Sequence, residues 1–285
     1  MTRMNLFAEL ALSFIVLLLL AILLPVANID NVDAILASAT FLYGIFYGFE
    51  AAVVLQNFSS LKTLLATETA GILSVFNLSK ILGGETHQRV EENIENYLIK
   101  AIDYPLVSYV QETNKEFFEI FEPLRKYEPK TEAESAAIAY MHEGLYYIPQ
   151  SRNQIAQVAP RDVDPPEWGM LLILGSIIIF ALFLGRDVDI ISKIAAAIFS
   201  MAVVGSLLLL EEIDSNRIQE AHLEYEMFNR TLDAIGKKRY YPEFALKKGV
   251  VKVPRGKEYR VGKFPHYPSL EERHIIDSQD YHIIG

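Results

Sequence analysis

The sequence contains no cysteine and a single tryptophan among its 285 residues. The missing thiols exclude disulfide staples, thiolate metal ligands and a cysteine nucleophile. Catalytic motifs are missing as well: there is no Gly-rich phosphate loop, no His-Glu-x-x-His helix and no Gly-x-Ser-x-Gly elbow. The six histidines are scattered, and His222 has a carboxylate one turn away, at Glu226. That helix is so acidic that chance supplies the partner, and no metal site or cofactor is assigned. The expectation is a protein that is not an enzyme. Positive charge is scarce too, with 26 Lys and Arg against 36 Asp and Glu and a net charge of −10. Residues Asn57 to Glu167 hold ten basic and seventeen acidic residues, which excludes nucleic acid as a partner, since phosphate binding needs the opposite sign.

What the chain does have is apolar residues in blocks. They make up 51% of the sequence beside 22% charged residues, and the mean hydropathy is +0.20. Four stretches approach or exceed the roughly 20 apolar residues that cross a bilayer core: Leu6 to Ala27, Ala34 to Gln56, Trp168 to Leu184 and Ile190 to Leu210. The first could also be a cleaved signal peptide, but its apolar run is long for one and Pro25-Val26-Ala27 is a poor cleavage site. Short connections, Asn28 to Asp33 and Gly185 to Asp189, make each pair an antiparallel hairpin with its turn on the same side. Those turns carry only one basic residue, Arg186, so the positive-inside bias puts both termini and the middle segment in the cytoplasm. The expected location is the cell membrane, with several passes through the lipid bilayer.

The second and fourth spans continue beyond the bilayer. Phe58, Leu61, Leu65, Glu68, Ile72, Val75, Ser79 and Leu82 recur at alternating steps of three and four, and Gly83-Gly84 stops the pattern. Ile218, Ala221, Tyr225, Phe228, Leu232 and Ile235 repeat it before Gly236. Two readings stay open: a coiled-coil stalk formed by the two seams, or ordinary amphipathic packing against a cytosolic domain. Between the spans the pattern predicts helices over about Thr86 to Asp103, Leu106 to Tyr127 and Thr131 to Ile148, separated at Pro105 and Pro129. Gly249 to Val253 and Glu258 to Val261 alternate as a β-hairpin around Pro254-Arg255-Gly256-Lys257. Its basic residues, Lys247 to Lys263, suit either anionic headgroups or a solvated tail.

Glu50 is the polar residue inside a span that most invites a function, because a charge at the bilayer centre costs about 2.5 to 3.5 kcal/mol on insertion scales. Glu9 would sit at a similar level in the first span. Together they form an acidic inner vestibule on an ion path, or both snorkel to the interface. Gly44 and Gly48 have the spacing for close helix contact. Phe46 and Tyr47 beside them could constrict a pore, which gates by dewetting.

Three stretches resemble the bestrophin-like family of membrane proteins. The first is the exit of the second span, Phe58 through Glu68, Ile72, Val75, Phe76 and Asn77. The second is Pro165-Pro166-Glu167-Trp168 running into Leu171-Leu172-Ile173-Leu174-Gly175. The third is Arg152, where the family usually has an Arg cluster. The likeness covers about Leu6 to Ile235 and departs at Ile213-Asp214, which lacks the Pro of the family's turn. It implies a homo-oligomeric ring, such as a pentamer, with second-span helices lining an ion path; bestrophins proper are mostly anion channels.

The expected fold is therefore an all-α membrane protein of four transmembrane helices in two hairpins. Its parts are a first hairpin (1–56), a cytosolic helical domain (57–167), a second hairpin (168–210), a helix continuing the fourth span (211–236) and a basic tail with a β-hairpin (237–285). The expected function is an oligomeric ion channel; the alternative is a non-conducting, membrane-anchored adaptor or sensor. The candidate residues are Glu50, Glu9, Phe46 and Tyr47 for the path and Gly44 and Gly48 for helix packing. Leu65, Glu68, Ile72, Val75, Tyr225, Phe228 and Leu232 form the seam.

Overall fold

The computed structural model describes residues 3–25, 31–159, 163–214, 217–251, 253 and 256–281. The first helices are α1 (Arg3–Leu23), α2 (Val32–Leu82) and α3 (Gly84–Asp103), followed by the short α4 (Leu106–Glu112), α5 (Asn114–Glu119) and α6 (Glu122–Arg125). Then come α7 (Glu132–Val158), α8 (Pro165–Leu184), α9 (Ile190–Asp214) and α10 (Arg217–Ala234). The C-terminal part holds β1 (Arg239–Pro242), α11 (Glu243–Lys247), β2 (Tyr259–Lys263) and β3 (His274–Asp277). The chain divides into two compact units, Met1–Gln56 with Asp162–Asn216 and Asn57–Arg161 with Arg217–Gly285.

Local chemistry explains the helix limits. Positive φ at Gly83 and Gly84 ends α2, and at Gly236 it closes α10, conformations that glycine adopts without a Cβ penalty. The Thr131 hydroxyl caps α7 by accepting the Glu134 N–H at 3.1 Å. Asp164 and Glu167 form a reciprocal capping box at the start of α8, with Pro165 at its first turn. The segment expected as one helix from Leu106 to Tyr127 is instead three short ones. The Thr113 hydroxyl bonds the Tyr109 carbonyl at 2.6 Å where α4 gives way to α5, and Pro123 opens α6. Conversely, α7 runs past Ile148 and through Pro149. The expected continuity of the fourth span into α10 passes through residues 215–216, outside the described residues.

In the first unit α9 packs on both α1 and α8. Gly205 lets Leu10 approach, since a Cβ there would stand 3.3 Å from Leu10 Cδ2. Gly175 does the same for Val203 and Leu207. Tyr43 of α2 shares a hydrogen bond with Ser206 Oγ at 2.7 Å, beside a core of Ala39, Leu171, Leu174, Ile178 and Leu210. Among the described residues three helices are long and apolar enough to cross a membrane, within Val32–Leu82, Pro165–Leu184 and Ile190–Glu211, and Leu10–Leu23 is a shorter apolar helix. Arg186, the lone basic residue of the turns, is buried. It donates to the carbonyl of Phe183 and to those of Leu24 (2.7 Å) and Pro25 (3.3 Å). One guanidinium thus satisfies the unpaired C-terminal carbonyls of α8 and α1, where the helix dipoles also favour a cation.

The second unit encloses a large apolar core, with Leu61, Leu65, Ile72, Ile94, Ile102, Phe117 and Phe228 among its members. The chain is mainly helical as expected, and the C-terminal segment corrects the hairpin. No strand is described over Gly249 to Val253; β2 lies between β1, parallel, and β3, antiparallel. The hairpin pattern omitted the better partner, Arg239-Tyr240-Tyr241, which reaches β2 through α11 and so pairs in parallel. Nor is the segment a free tail, because several of its described basic residues are paired within the unit, among them Lys247 with Glu243 and Lys257 with Asp233, both at 3.2 Å. Lys237 meets Glu91 (2.8 Å) and Glu95 (3.1 Å), Arg260 meets Glu95, and Arg239 meets Glu226 (3.2 Å) and Asp233 (2.9 Å).

Two substitutions test this packing. Arg186→Ala should cost about 2 to 4 kcal/mol by stranding helix-end carbonyls, read as lowered thermal unfolding in detergent. Gly262→Ala would put a Cβ 1.8 Å from the Tyr240 hydroxyl. It should destabilise by about 2 kcal/mol, and Tyr240→Phe in the same chain should recover part of the loss.

Candidate functional site

The polar centre of the second unit is built around Glu68. At a seam position of α2 it is fully buried, and it accepts hydrogen bonds from the Tyr97 hydroxyl of α3 and from the Tyr109 hydroxyl of α4, the latter at 2.6 Å. Arg152 reaches the same centre from α7 and is only 1% exposed. Its guanidinium lies over the rings of Phe117 (4.4 Å to the centroid), Tyr97 (5.1 Å) and Tyr109 (5.9 Å). One nitrogen, Nη2, donates to the Val110 carbonyl at 3.0 Å and to the Thr113 hydroxyl at 2.9 Å.

Burial and the neighbouring Glu68 carboxyl push the Tyr97 and Tyr109 hydroxyls well above their ordinary range. Both therefore remain donors at any physiological pH. Arg152 supplies the compensating charge from across the rings, combining a Coulombic role with cation–π contact in a dry environment. The arrangement holds no nucleophile. It pins α2 to α3, α4 and α7 in one register, because no apolar shift can satisfy these groups elsewhere.

The remaining seam residues lie around this centre. Leu65, Ile72, Val75, Tyr225, Phe228 and Leu232 all belong to the same buried cluster. α10 packs against α3, α4 and β1. The Phe228 ring meets Tyr109, whose hydroxyl bonds Glu68, so an aromatic from α4 links the two seams. Sequence reasoning missed Tyr97, Tyr109 and Thr113. The available signals were a carboxylate at a core position of the seam, which demands a buried partner, and the isolated Arg152.

The path and packing candidates of the first unit fall on different sides of α2. Glu50 is 8% exposed and faces α8, within reach of Glu167, with Asp164 and Asp214 in its electrostatic surroundings. Asp214 also accepts the Trp168 indole N–H (3.1 Å) and the Val163 N–H (2.9 Å). The residues gathered near Glu50 are thus the start of α8 and the end of α9; the Glu9 side chain lies outside the described ones. Tyr47 stacks on Tyr43, 5.9 Å between centroids, while Phe46 is exposed. Gly44 and Gly48 are exposed, and an added Cβ at either would meet nothing within 4 Å. The described neighbours in this chain leave that glycine face uncovered.

A third polar cluster docks the C-terminal sheet. Asp103, at the end of α3 and 4% exposed, accepts from the Tyr240 hydroxyl at 2.6 Å and from Arg273 at 2.5 Å. Burial raises its carboxyl from 3.8 to about 6, against the opposing pull of Arg273, Tyr240 and Lys100. Among the described residues no cluster of three or more His, Asp or Glu could hold a metal ion.

Apolar helices long enough to span a bilayer, attached to a helical unit with a polar core, define the chain as a helical membrane protein. A family model described as a bestrophin-like domain matches residues 8–216, and the chain belongs to the bestrophin-like family. The match ends before α10 and the three strands. No curated protein matches the chain, and no solved structure does either.

The buried pair predicts a non-additive result. Glu68→Gln and Arg152→Met should each cost about 3 to 5 kcal/mol, while the double variant should lose clearly less than their sum, measured by denaturant unfolding in detergent. Asp103 predicts a pH slope. Its folded value lies above the unfolded one, so its contribution is full below about pH 4 and is lost as pH rises through about 6, amounting to about 3 kcal/mol at most. Asp103→Asn should remove that falling component from the stability profile between about pH 4 and pH 7.

Proposed function

We propose that the protein is a non-enzymatic, oligomeric bestrophin-like ion channel, multi-pass in the cell membrane, with four spans and cytoplasmic termini. Copies assemble in a ring, and α2 of each copy turns its uncovered face to the axis. The observation that carries this reading is the composition of that face. In the first unit it shows Phe41, Ile45 and Phe49 to the outside, beside the open Gly44 and Gly48. In the second unit it shows Ser59, Thr63, Ala66, Ala70, Ser74 and Asn77, with the exposed Lys62 and Lys80 along one edge. Small and hydroxylated side chains leave room for water and the two lysines at the edge favour an anion, whereas an aromatic segment suits a dewetting constriction. Family membership supports the same assembly.

On this reading Glu50 and Tyr47 support the helix from behind and do not line the path, because Glu50 faces α8 and Tyr47 stacks on Tyr43. The second reading, a membrane-anchored adaptor, is favoured by the exposed Tyr140, Tyr146 and Tyr147 on α7, since surface tyrosines are common anchors for protein partners. Flux separates the two.

The cysteine-free sequence makes the test direct. Single Thr63→Cys and Ser74→Cys proteins in liposomes should conduct as the unmodified chain does and lose most of that flux when a charged thiol reagent is added. Lys115→Cys, an exposed position on α5, should be insensitive. A monomer in detergent, or liposomes without flux, would reject the channel.

A further inference from the structure

α7 turns two tyrosines and a carboxylate outward together. Tyr140 and Tyr147 are two helical turns apart, and Glu143 stands between them, three residues after the first and four before the second, so the three share a face. The rings are 62% and 64% exposed. They rim a groove of about 320 Å³ between α7 and α2, with Val75 and Ile148 among its apolar lining.

Two glycines let the helices close beneath this rim. A Cβ on Gly71 would stand 2.7 Å from Ile148 Cγ1, and one on Gly144 would stand 3.2 Å from Val75 Cγ2. Glu143 is the one charged residue among those lining the groove, and it forms no ion pair with any described residue. An unpaired carboxylate between two aromatic faces, above an apolar floor, is complementary to a cation that carries its own apolar surface.

We propose that the groove of Tyr140, Glu143 and Tyr147 binds a quaternary ammonium group. At 1.5 Å per residue the two tyrosine positions are about 10 Å apart along the helix. Side chains projecting from positions that far apart on one face can turn their rings toward a cation held between them, where cation–π attraction acts within roughly 6 Å of a ring centroid. The methyl groups of a quaternary ammonium lower its hydration and rest against the two rings and the half-buried Leu78 and Gly144 of the groove, while Glu143 neutralises the charge. A compact primary ammonium, more strongly hydrated, gains less from that floor. The group could come from a free solute of the choline type or from a phosphatidylcholine headgroup.

The test is saturation-transfer difference NMR on the full chain in detergent, with choline as probe and 3,3-dimethyl-1-butanol as its uncharged isostere. Choline methyl protons should be saturated and the isostere's should not. Tyr140→Leu and Tyr147→Leu keep apolar bulk and remove the π face. Each should weaken choline binding by about threefold and the pair by about tenfold, and Glu143→Gln should weaken it further. Tyr146→Leu, on the exposed Tyr146 that does not line the groove, should leave binding unchanged. Repeating the titration in nanodiscs distinguishes the sources. Weaker choline binding in phosphatidylcholine than in phosphatidylglycerol discs assigns the site to a headgroup, and equal binding assigns it to a free solute. No saturation transfer, equal binding of the isostere, or indifference to both tyrosine variants would overturn the proposal. None of these readouts depends on conduction.

Discussion

A carboxylate and a guanidinium buried in an otherwise apolar helical core constrain everything packed around them. Glu68 and Arg152 have no access to water, and leaving either charge without compensation costs more than an ordinary core contact returns. Two tyrosine hydroxyls on Glu68, and three aromatic rings around Arg152 with the bonds of its Nη2, meet much of that demand, while Arg152 Nε and Nη1 have no hydrogen-bond partner among the described residues. The tyrosines come from α3 and α4 and the arginine from α7, so the requirement of one residue on α2 fixes the positions of three other elements. Apolar seams alone tolerate a shift of one turn; this centre does not.

The C-terminal sheet is attached by the same principle at lower cost. Asp103, Glu91 and Glu95 on α3 receive Arg273, Lys237 and Arg260 from segments that follow α10. The excess acid of the helical segment and the excess base of the C-terminal one thereby cancel inside one unit. Of the basic residues that sequence inspection offered to a lipid surface, Lys247, Lys257 and Arg260 are already engaged in ion pairs. Only Asp103 is deeply buried among these carboxylates, and that burial pushes it toward neutral pH. The more exposed pairs contribute orientation more than stability.

The spanning helices show a different economy. Arg186 closes two helix ends with one side chain, and the Trp168 indole and the Val163 amide share the Asp214 carboxylate. Charged side chains of the described spans are confined to the ends of the helices, as a bilayer requires. Between those ends α2 keeps one side against α8 and α9, and the described residues of the chain leave the other side uncovered.

Much of this was legible in the sequence where the governing interaction is local. The apolar blocks gave the spanning helices because hydropathy acts residue by residue. Gly83-Gly84, Gly236, Thr131 and Asp164 set helix limits because a cap needs only its own turn. The bestrophin-like resemblance rested on Glu68, the Pro165 to Trp168 approach and Arg152, and the family model agrees over residues 8–216. What escaped was long-range. Tyr97, Tyr109 and Arg152 are separated from Glu68 by 29, 41 and 84 residues, and no periodicity records which buried donor will meet which acceptor. The hairpin failed for the same reason, since strand pattern predicts extended chain but not its partner, and Tyr240 competed successfully from the far side of α11. The sequence by itself determined where helices start, stop and dissolve in lipid. Only the tertiary structure decided which charges are buried together, because that choice depends on satisfying several distant polar groups at once.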